Sequence, residues 1–309
     1  MLIKRVKKDG TLPKKRKRYK KGVVGCAYAM LSMDIIGFFG LTLYPLLWAV
    51  RLSWFSYNGV PSATRFIGWT NYINAFRNDT TYWKAWLTTL QFALCKIPLE
   101  LPLAIFIAVL LSKRLKGVGF FRTIYFMPHV VSTAIVGLVF SNMFQYFGII
   151  NNMIHKNIDW FSMKWSSMLT LVIADTWHTI GVNILYFIAA LSNVPEDLKE
   201  AARIDGATGW QVFKNVTFPC IAPTFQIILM MSIIGTFGTS DIVLVLTGGA
   251  PAGQTYTIMP YITSKFAPGF ADATANIGYG SALSVITAVI LVLVSVGYNK
   301  VTARLKNIY

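Results

Sequence analysis

Residues Glu200 to Pro219 read EAARIDGATGWQVFKNVTFP and lie between two long apolar runs, about 167–191 and 221–246. Just upstream, Pro195 sets a helix start, because its fixed φ suits the first helical position. Glu196 and Asp197 follow in the first turn, where the helix dipole favours negative charge. Leu198 to Ile204 form helix readily, and Gly206 is placed to end that helix in a left-handed cap. Thr208 then caps a second helix, and Gln211 three residues on completes a capping box. Val212, Phe213 and Val216 make an apolar stripe at helical spacing. Pro219 is expected to stop the second helix before the next apolar run. Ala201 and Ala202 leave little bulk on this pair of helices, and Glu200, Arg203 and Asp205 flank them with charge. The pattern suits a docking surface for another protein. An amphipathic connector lying on a membrane would show the same local features.

The apolar runs on either side recur along the chain. Of 309 residues 55% are hydrophobic and 13% charged, with mean hydropathy +0.53, which is too apolar for a soluble domain of this length. A span needs about 20 apolar residues to cross roughly 30 Å of hydrocarbon. Six segments qualify: about 23–49, 86–111, 124–145, 167–191, 221–246 and 279–298. Backbone groups in lipid must be satisfied within the segment, so these are expected to be helices. A β-barrel would show short alternating segments instead. The expected fold class is therefore an all-α integral membrane protein with six transmembrane helices.

The net charge of +17 invites a nucleic-acid reading, but its distribution argues for topology. Of 29 Lys and Arg, 11 fall in residues 1–22, 4 in 113–122, 3 in 193–219 and 3 in 299–309. All four segments share one side if the spans alternate, so both termini and the 193–219 loop are expected in the cytoplasm. The basic arm, residues 1–22, is expected to touch anionic lipid heads, and the tail is 301–309. No nucleic-acid reading module accompanies the arm, so no nucleic-acid partner is expected. The first apolar run is too long for the core of a signal peptide and reads as a retained span. Cys26, Cys95 and Cys220 match no metal or redox spacing and read as small apolar residues, with no metal site expected.

Between the spans, the outer loops at about 50–85, 146–166 and 247–278 contain no soluble domain. Trp48, Trp54, Phe55, Tyr57, Trp69, Tyr72, Trp83 and Trp86 cluster around the first. They read as an aromatic belt at the membrane interface, or in part as a surface for an external partner. Within the spans, Lys96 and Glu100 are four apart and can pair on one helical face. Asp175 can pair with His178, three residues on. Asp34 in the first span has no evident partner in the sequence.

The stretch EAARIDGATGWQVFKNVTFP resembles, at every key spacing, the EAA-loop signature of permease subunits of binding-protein-dependent ABC importers. Glu200, Ala201, Ala202, Asp205, Gly206 and Pro219 fall in place, with Val216 and Phe218 as apolar variants. Leu43–Pro45 (LYP), Phe121–Ser132 (FRTIYFMPHVVS), Leu246–Pro251 (LTGGAP) and Gly278–Leu283 (GYGSAL) are similar to the carbohydrate-uptake, maltose-transporter-like branch. Asp241, just before LTGGAP, fits that pattern and is expected to order the end of the fifth span. The resemblance runs from about residue 23 to 300 and implies the type I ABC importer permease fold over that permease domain. It implies that 193–219 is the coupling loop, with Glu200, Ala201, Ala202, Arg203, Asp205, Gly206 and Pro219 engaging a cytoplasmic ATPase. The implied partners are a second homologous permease, usually a different one, two cytoplasmic ABC ATPase subunits, and an extracytoplasmic substrate-binding protein. The implied location is a bacterial cytoplasmic (inner) membrane. ATP and Mg belong to the ATPase, and this chain, which has no G-x-x-x-x-G-K-[ST] loop, is expected to bind no cofactor and not to be an enzyme.

On that resemblance the cargo is a sugar, with an oligosaccharide favoured over a monosaccharide derivative or glycerol phosphate. Two polar stripes are candidate pathway lining, because polar residues in spans usually face a bundle interior or cavity. One is Thr176, Thr179, Asn183 and Tyr186, joined by Trp177. The other is Ser232, Thr236, Thr239 and Ser240. Hydroxyls and amides suit a polyol, and aromatic rings stack on a sugar face. Helix–helix contact is the alternative use of such residues. An intramembrane enzyme is disfavoured, since there is no H-E-x-x-H and the three histidines are scattered. An ion-coupled secondary transporter would have no use for an EAA loop.

Overall fold

The computed structural model describes residues 21–112, 117–267 and 274–306. Residues 1–20 of the basic arm, 113–116 of the short inner loop and 307–309 of the tail therefore lie outside the described residues. Among the described residues six helical stretches are long and apolar enough to cross a membrane: Tyr28–Leu52, Thr80–Ser112, Thr133–Ile154, Lys164–Ser192, Gly209–Gly238 and Ile277–Ala303.

The chain divides into two compact units, 1–51 and 52–309. The described part of the first, from Lys21 on, is one continuous helical rod. Helix α1 (Lys21–Gly37) passes through a π stretch, Phe38–Leu43, into α2 (Tyr44–Leu52). Tyr28, Met33, Ile36 and Leu41 are all exposed, on different sides of the rod. A helix apolar all round, with nothing among the described residues of its own unit to bury it against, is built for a membrane environment. Asp34 is exposed on it.

The second unit is organised around two long helices, α4 (Thr80–Ser112) and α8 (Lys164–Ser192), after a small hairpin, β1 (Phe55–Ser56) with β2 (Arg65–Phe66), and α3 (Thr70–Arg77). Lys164 Nζ, at the start of α8, donates to Gln91 Oε1 in the first half of α4 at 2.7 Å. Leu111 and Leu191 share one apolar cluster at their far ends, so α4 and α8 run side by side in the same direction. Ala104, Ala108, Ile184, Phe187 and Ile228 fill the middle of that cluster.

The run expected as a single span over 124–145 is two helices, α5 (Val118–Val130) and α6 (Thr133–Phe144). Val131 and Ser132 between them are extended, three residues beyond Pro128. The break frees the Val131 carbonyl, which His178 Nε2 satisfies at 3.1 Å. A freed carbonyl at membrane depth persists only where protein satisfies it. The fifth expected span also ends early. Helix α11 (Phe218–Gly238) stops at Thr239, and Asp241 opens a separate short helix, α12 (Asp241–Leu246), rather than closing the span. Helices α7 (Ile149–Ile154) and α13 (Ile258–Phe266) occupy the two later loops, and α14 (Ile277–Lys306) is the last span.

Close approach of α5 to α8 depends on Gly181. A Cβ there would collide with the backbone of Tyr125 and Phe126 on α5. Small residues allow this approach in membrane bundles, where packing rather than water exclusion holds helices together. Gly181→Leu is therefore expected to force α5 outward at a cost of about 1–3 kcal/mol or more. A lower Tm in detergent and a reduced membrane level would register it. An unchanged Tm would show that α5 relaxes freely.

At the end of α4 where it follows α3, Asp79 is the hub. Its carboxylate accepts from Tyr261 at 2.8 and 2.9 Å, from Tyr279 at 2.6 Å and from the Tyr82 backbone N–H at 2.8 Å. One side chain thus caps α4 and ties α13 and α14 to it.

Candidate functional site: the coupling segment and a buried ionic cluster

The segment 195–219 folds much as its local chemistry dictates. Helix α9 (Glu196–Ile204) carries Glu196 and Asp197 in its first turn and Arg203 in its last. Pro195 stands in the cap position, one residue earlier than the first helical turn. Gly206 has φ +84. Around it the Ala207 N–H donates to the Ala202 carbonyl at 3.0 Å and the Gly206 N–H to the Arg203 carbonyl at 3.1 Å. Those two bonds form a Schellman cap, which a left-handed residue at this position makes possible. Helix α10 (Gly209–Val212) begins at Thr208 with the capping box intact, Gln211 Oε1 accepting from the Thr208 N–H at 2.7 Å.

Pro219 does not end this second helix. The chain passes from α10 through a π stretch, Phe213–Thr217, directly into α11, with Pro219 in the first turn of α11. A proline fits there because its missing N–H falls where the widened turn has already interrupted the regular ladder. The second helix of the segment is therefore continuous with a spanning helix, Gly209–Gly238. Val212 and Thr217 are buried along this piece.

Two features of the segment were not legible in its motif. Ile204 is 86% exposed and Trp210 69% exposed, apolar side chains standing out among Glu200, Arg203 and Asp205. Trp210 also begins a chain of ring contacts into the bundle. It stacks on Phe213 at 5.6 Å, and contacts then step through Phe218 (6.2 Å) and Phe225 (5.7 Å) to Phe187 of α8 (6.1 Å). Glu200, Ala201, Asp205 and Gly206 are exposed on the same stretch, and Ala202 is half-buried.

Farther up the bundle α4 and α8 enclose three charges. Lys96, Glu100 and Asp175 are 4%, 1% and 3% exposed. Lys96 Nζ lies 2.5 Å from Asp175 Oδ2 and 3.6 Å from Glu100 Oε2. Glu100 Oε1 accepts from Thr179 Oγ1 at 2.7 Å and Asn183 Nδ2 at 2.8 Å. The i,i+4 pair expected from sequence is present. Asp175, however, pairs across to Lys96 and not with His178, which serves the Val131 carbonyl.

This cluster also accounts for part of the polar stripe on α8. Thr179 and Asn183 direct their polar groups at Glu100. Trp177 and Tyr186 stay exposed, and Thr176 Oγ1 is buried with no hydrogen-bond partner among the described residues. Trp177 and Thr176 border an apolar groove of about 330 Å³ between α4, α5 and α8. On α11, Thr236 Oγ1 bonds the Ser232 carbonyl at 2.7 Å and Thr239 Oγ1 the Gly235 carbonyl at 3.2 Å, while Ser240 lies in the break before α12. The Thr236 and Thr239 hydroxyls thus meet carbonyls of their own helix. Among the described residues no group of three or more His, Cys, Asp or Glu is placed to hold a metal ion.

Residues 100–307, more than half of the chain, match the family model for the inner membrane component of binding-protein-dependent transport systems. The chain is 30% identical over 291 residues to the probable starch degradation products transport system permease protein AmyD of Thermoanaerobacterium thermosulfurigenes, covering 92% of this chain and 96% of that one. It is 32% identical over 275 residues to the lactose transport system permease protein LacF of Rhizobium radiobacter, covering 85% and 90%. In fold it is similar to a chain in the crystal structure of a bacterial ABC transporter involved in the import of the acidic polysaccharide alginate. There the TM-score is 0.77 at 21% identity, covering 92% of this chain and 96% of the other. With its six apolar helices and this coverage, the chain belongs to the family of inner membrane components of binding-protein-dependent transport systems, and is a multi-pass permease subunit of an ABC importer.

Proposed function

We propose that this chain forms half of the translocation pathway for an oligosaccharide, and that Glu196–Pro219 is the lever through which a cytoplasmic ATPase drives it. The observation that carries the proposal is the capped pair α9–α10, rigid at Gly206, open at Ala201 and continuous with a spanning helix. A lever must transmit displacement without absorbing it. The Schellman cap, the capping box and the unbroken helix into α11 give this segment that stiffness. The ring contacts from Trp210 to Phe187 brace it against α8.

The remaining parts of the machine follow from this role. A second, different permease supplies the other half of the pathway, two ABC ATPases carry ATP and Mg, and an extracytoplasmic binding protein delivers the cargo. Both termini then lie in the cytoplasm, on the same side of the membrane as the coupling segment, in line with the positive charge at 1–22, 193–219 and 299–309. An oligosaccharide is favoured because the relatives' names refer to starch degradation products and lactose. Exposed Trp177 and Tyr186 offer ring faces for stacking.

Two measurements test the proposal. Purified chain alone is expected to show no ATP hydrolysis, and detectable turnover without a partner would contradict it. Labelled-oligosaccharide uptake by the assembled complex, competed with a panel of oligosaccharides, monosaccharides and glycerol phosphate, is expected to respond most to oligosaccharides. Competition by glycerol phosphate alone would overturn the cargo class.

A further inference from the structure

We propose that the β1–β2 hairpin and α3 form a foot lying in the head-group region of the bilayer, with Phe66, Trp69, Ile73 and Phe76 seated in lipid. The surface is unusual for a loop. Phe66 is 71% exposed, Trp69 65%, Phe76 59% and Ile73 50%. Trp69, Ile73 and Phe76 are spaced four and three apart, which places them on one face of the helix. The opposite side of α3 is buried: Asn71 Nδ2 donates to the Ser53 and Phe55 carbonyls at 2.9 and 3.1 Å, and Ala75 is fully enclosed. The helix is thus fixed with its apolar face turned outward.

What covers that face is indicated by its continuation. Phe76 contacts the Trp83 ring at 5.6 Å, and Trp83 Nε1 donates to the Ala75 carbonyl at 3.0 Å, joining α3 to α4. From Trp83 an exposed stripe runs up α4 through Leu87, Leu90 and Leu94, at spacings of four, three and four. That stripe belongs to a spanning helix, so it lies at the depth of the bilayer. The apolar face of α3 continues it without a polar gap, through the aromatic residues that favour the membrane–water boundary. The charges fit an anionic or zwitterionic lipid surface. Exposed Arg65, Arg77 and Lys84 surround the foot, and the one carboxylate in residues 52–90, Asp79, is held by Tyr261 and Tyr279. Basic side chains at such a site reach the phosphates while their stems cover apolar surface.

The test places single nitroxide labels in the assembled transporter in phosphatidylcholine–phosphatidylglycerol nanodiscs, with Cys26, Cys95 and Cys220 changed to serine. Labels on Ile73→Cys and Phe76→Cys are expected to show an oxygen-to-nickel-chelate collision ratio several-fold above that on Ser62→Cys at the hairpin tip. It should approach that on Leu90→Cys in the span. A ratio equal to that at Ser62 would place the face in water and overturn the proposal. Low collision with both reagents, or loss of oxygen access when binding protein is added, would show a protein partner there and overturn it as well. A second measurement keeps the native cysteines. Lipids brominated near the head group should quench a share of tryptophan emission that disappears in Trp69→Phe, and an unchanged quenched share would equally overturn it.

Discussion

Replacing Gly206 with arginine is expected to abolish uptake and substrate-stimulated ATP hydrolysis by the assembled complex while leaving the chain in the membrane. Gly206 sits at φ +84, where a side chain costs about 1–2 kcal/mol. That is too little to unfold a domain stabilised by roughly 5–15 kcal/mol. It is enough to shift a local equilibrium at the cap, because the Gly206 and Ala207 N–H groups hold the end of α9 only while this residue is left-handed. Arginine adds bulk to an open surface as well: nothing lies within 4 Å of a Cβ at this position, so the side chain would stand where the proposed ATPase has to approach. A graded series separates the two effects. Asn tolerates the left-handed conformation and should retain most activity, Ala meets only the backbone cost, and Arg meets both. Glu200→Arg should match Gly206→Arg without touching the backbone. Uptake at the original rate in Gly206→Arg would remove the coupling role from this segment.

Lys96→Met is the second large effect, and it acts on folding. The change leaves Asp175 and Glu100 enclosed between α4 and α8 with no cation. Breaking a buried pair by removing one partner costs about 3–5 kcal/mol, because the remaining charge is buried and uncompensated. We expect loss of the protein from the membrane fraction and a lower Tm of whatever is recovered. The combination Lys96→Met, Glu100→Gln and Asp175→Asn removes all three charges and should recover much of the loss, since a neutral cluster carries no unpaired charge. Recovery of abundance without recovery of uptake would give the cluster a part in transport. Equal failure of the single and triple variants, which all keep the volume, would show that the site requires the ion pairs themselves and would overturn the unpaired-charge account.

These outcomes separate what each level of description contributes. The number of spans is legible in hydropathy, because a window of about 20 residues averages over any neighbour. The capped pair of helices at 195–219 is legible too, since Pro195, Gly206, Thr208 and Gln211 act on backbone groups within one or two turns of themselves. The Lys96–Glu100 pair is local for the same reason. Where the sequence misled, the cause lies at a distance. Asp175 has a histidine three residues away, yet its partner is Lys96, 79 positions earlier, because α4 and α8 lie side by side. The single span expected over 124–145 is broken at Val131, and His178 on another helix makes the break tolerable. Pro219 reads as a stop, but a π turn before it carries the helix through. Thr179 and Asn183 look free to meet a substrate until Glu100 is found against them.

The sequence by itself determined a six-span helical membrane chain with a capped, two-helix segment between its fourth and fifth spans, because periodicity, hydropathy and caps are short-range properties. Only the tertiary structure decided which charges neutralise one another, which polar residues of α8 are turned onto Glu100, and that the 195–219 segment runs without a break into α11. Those depend on which helix faces which, and side-chain packing between segments far apart in the chain settles that.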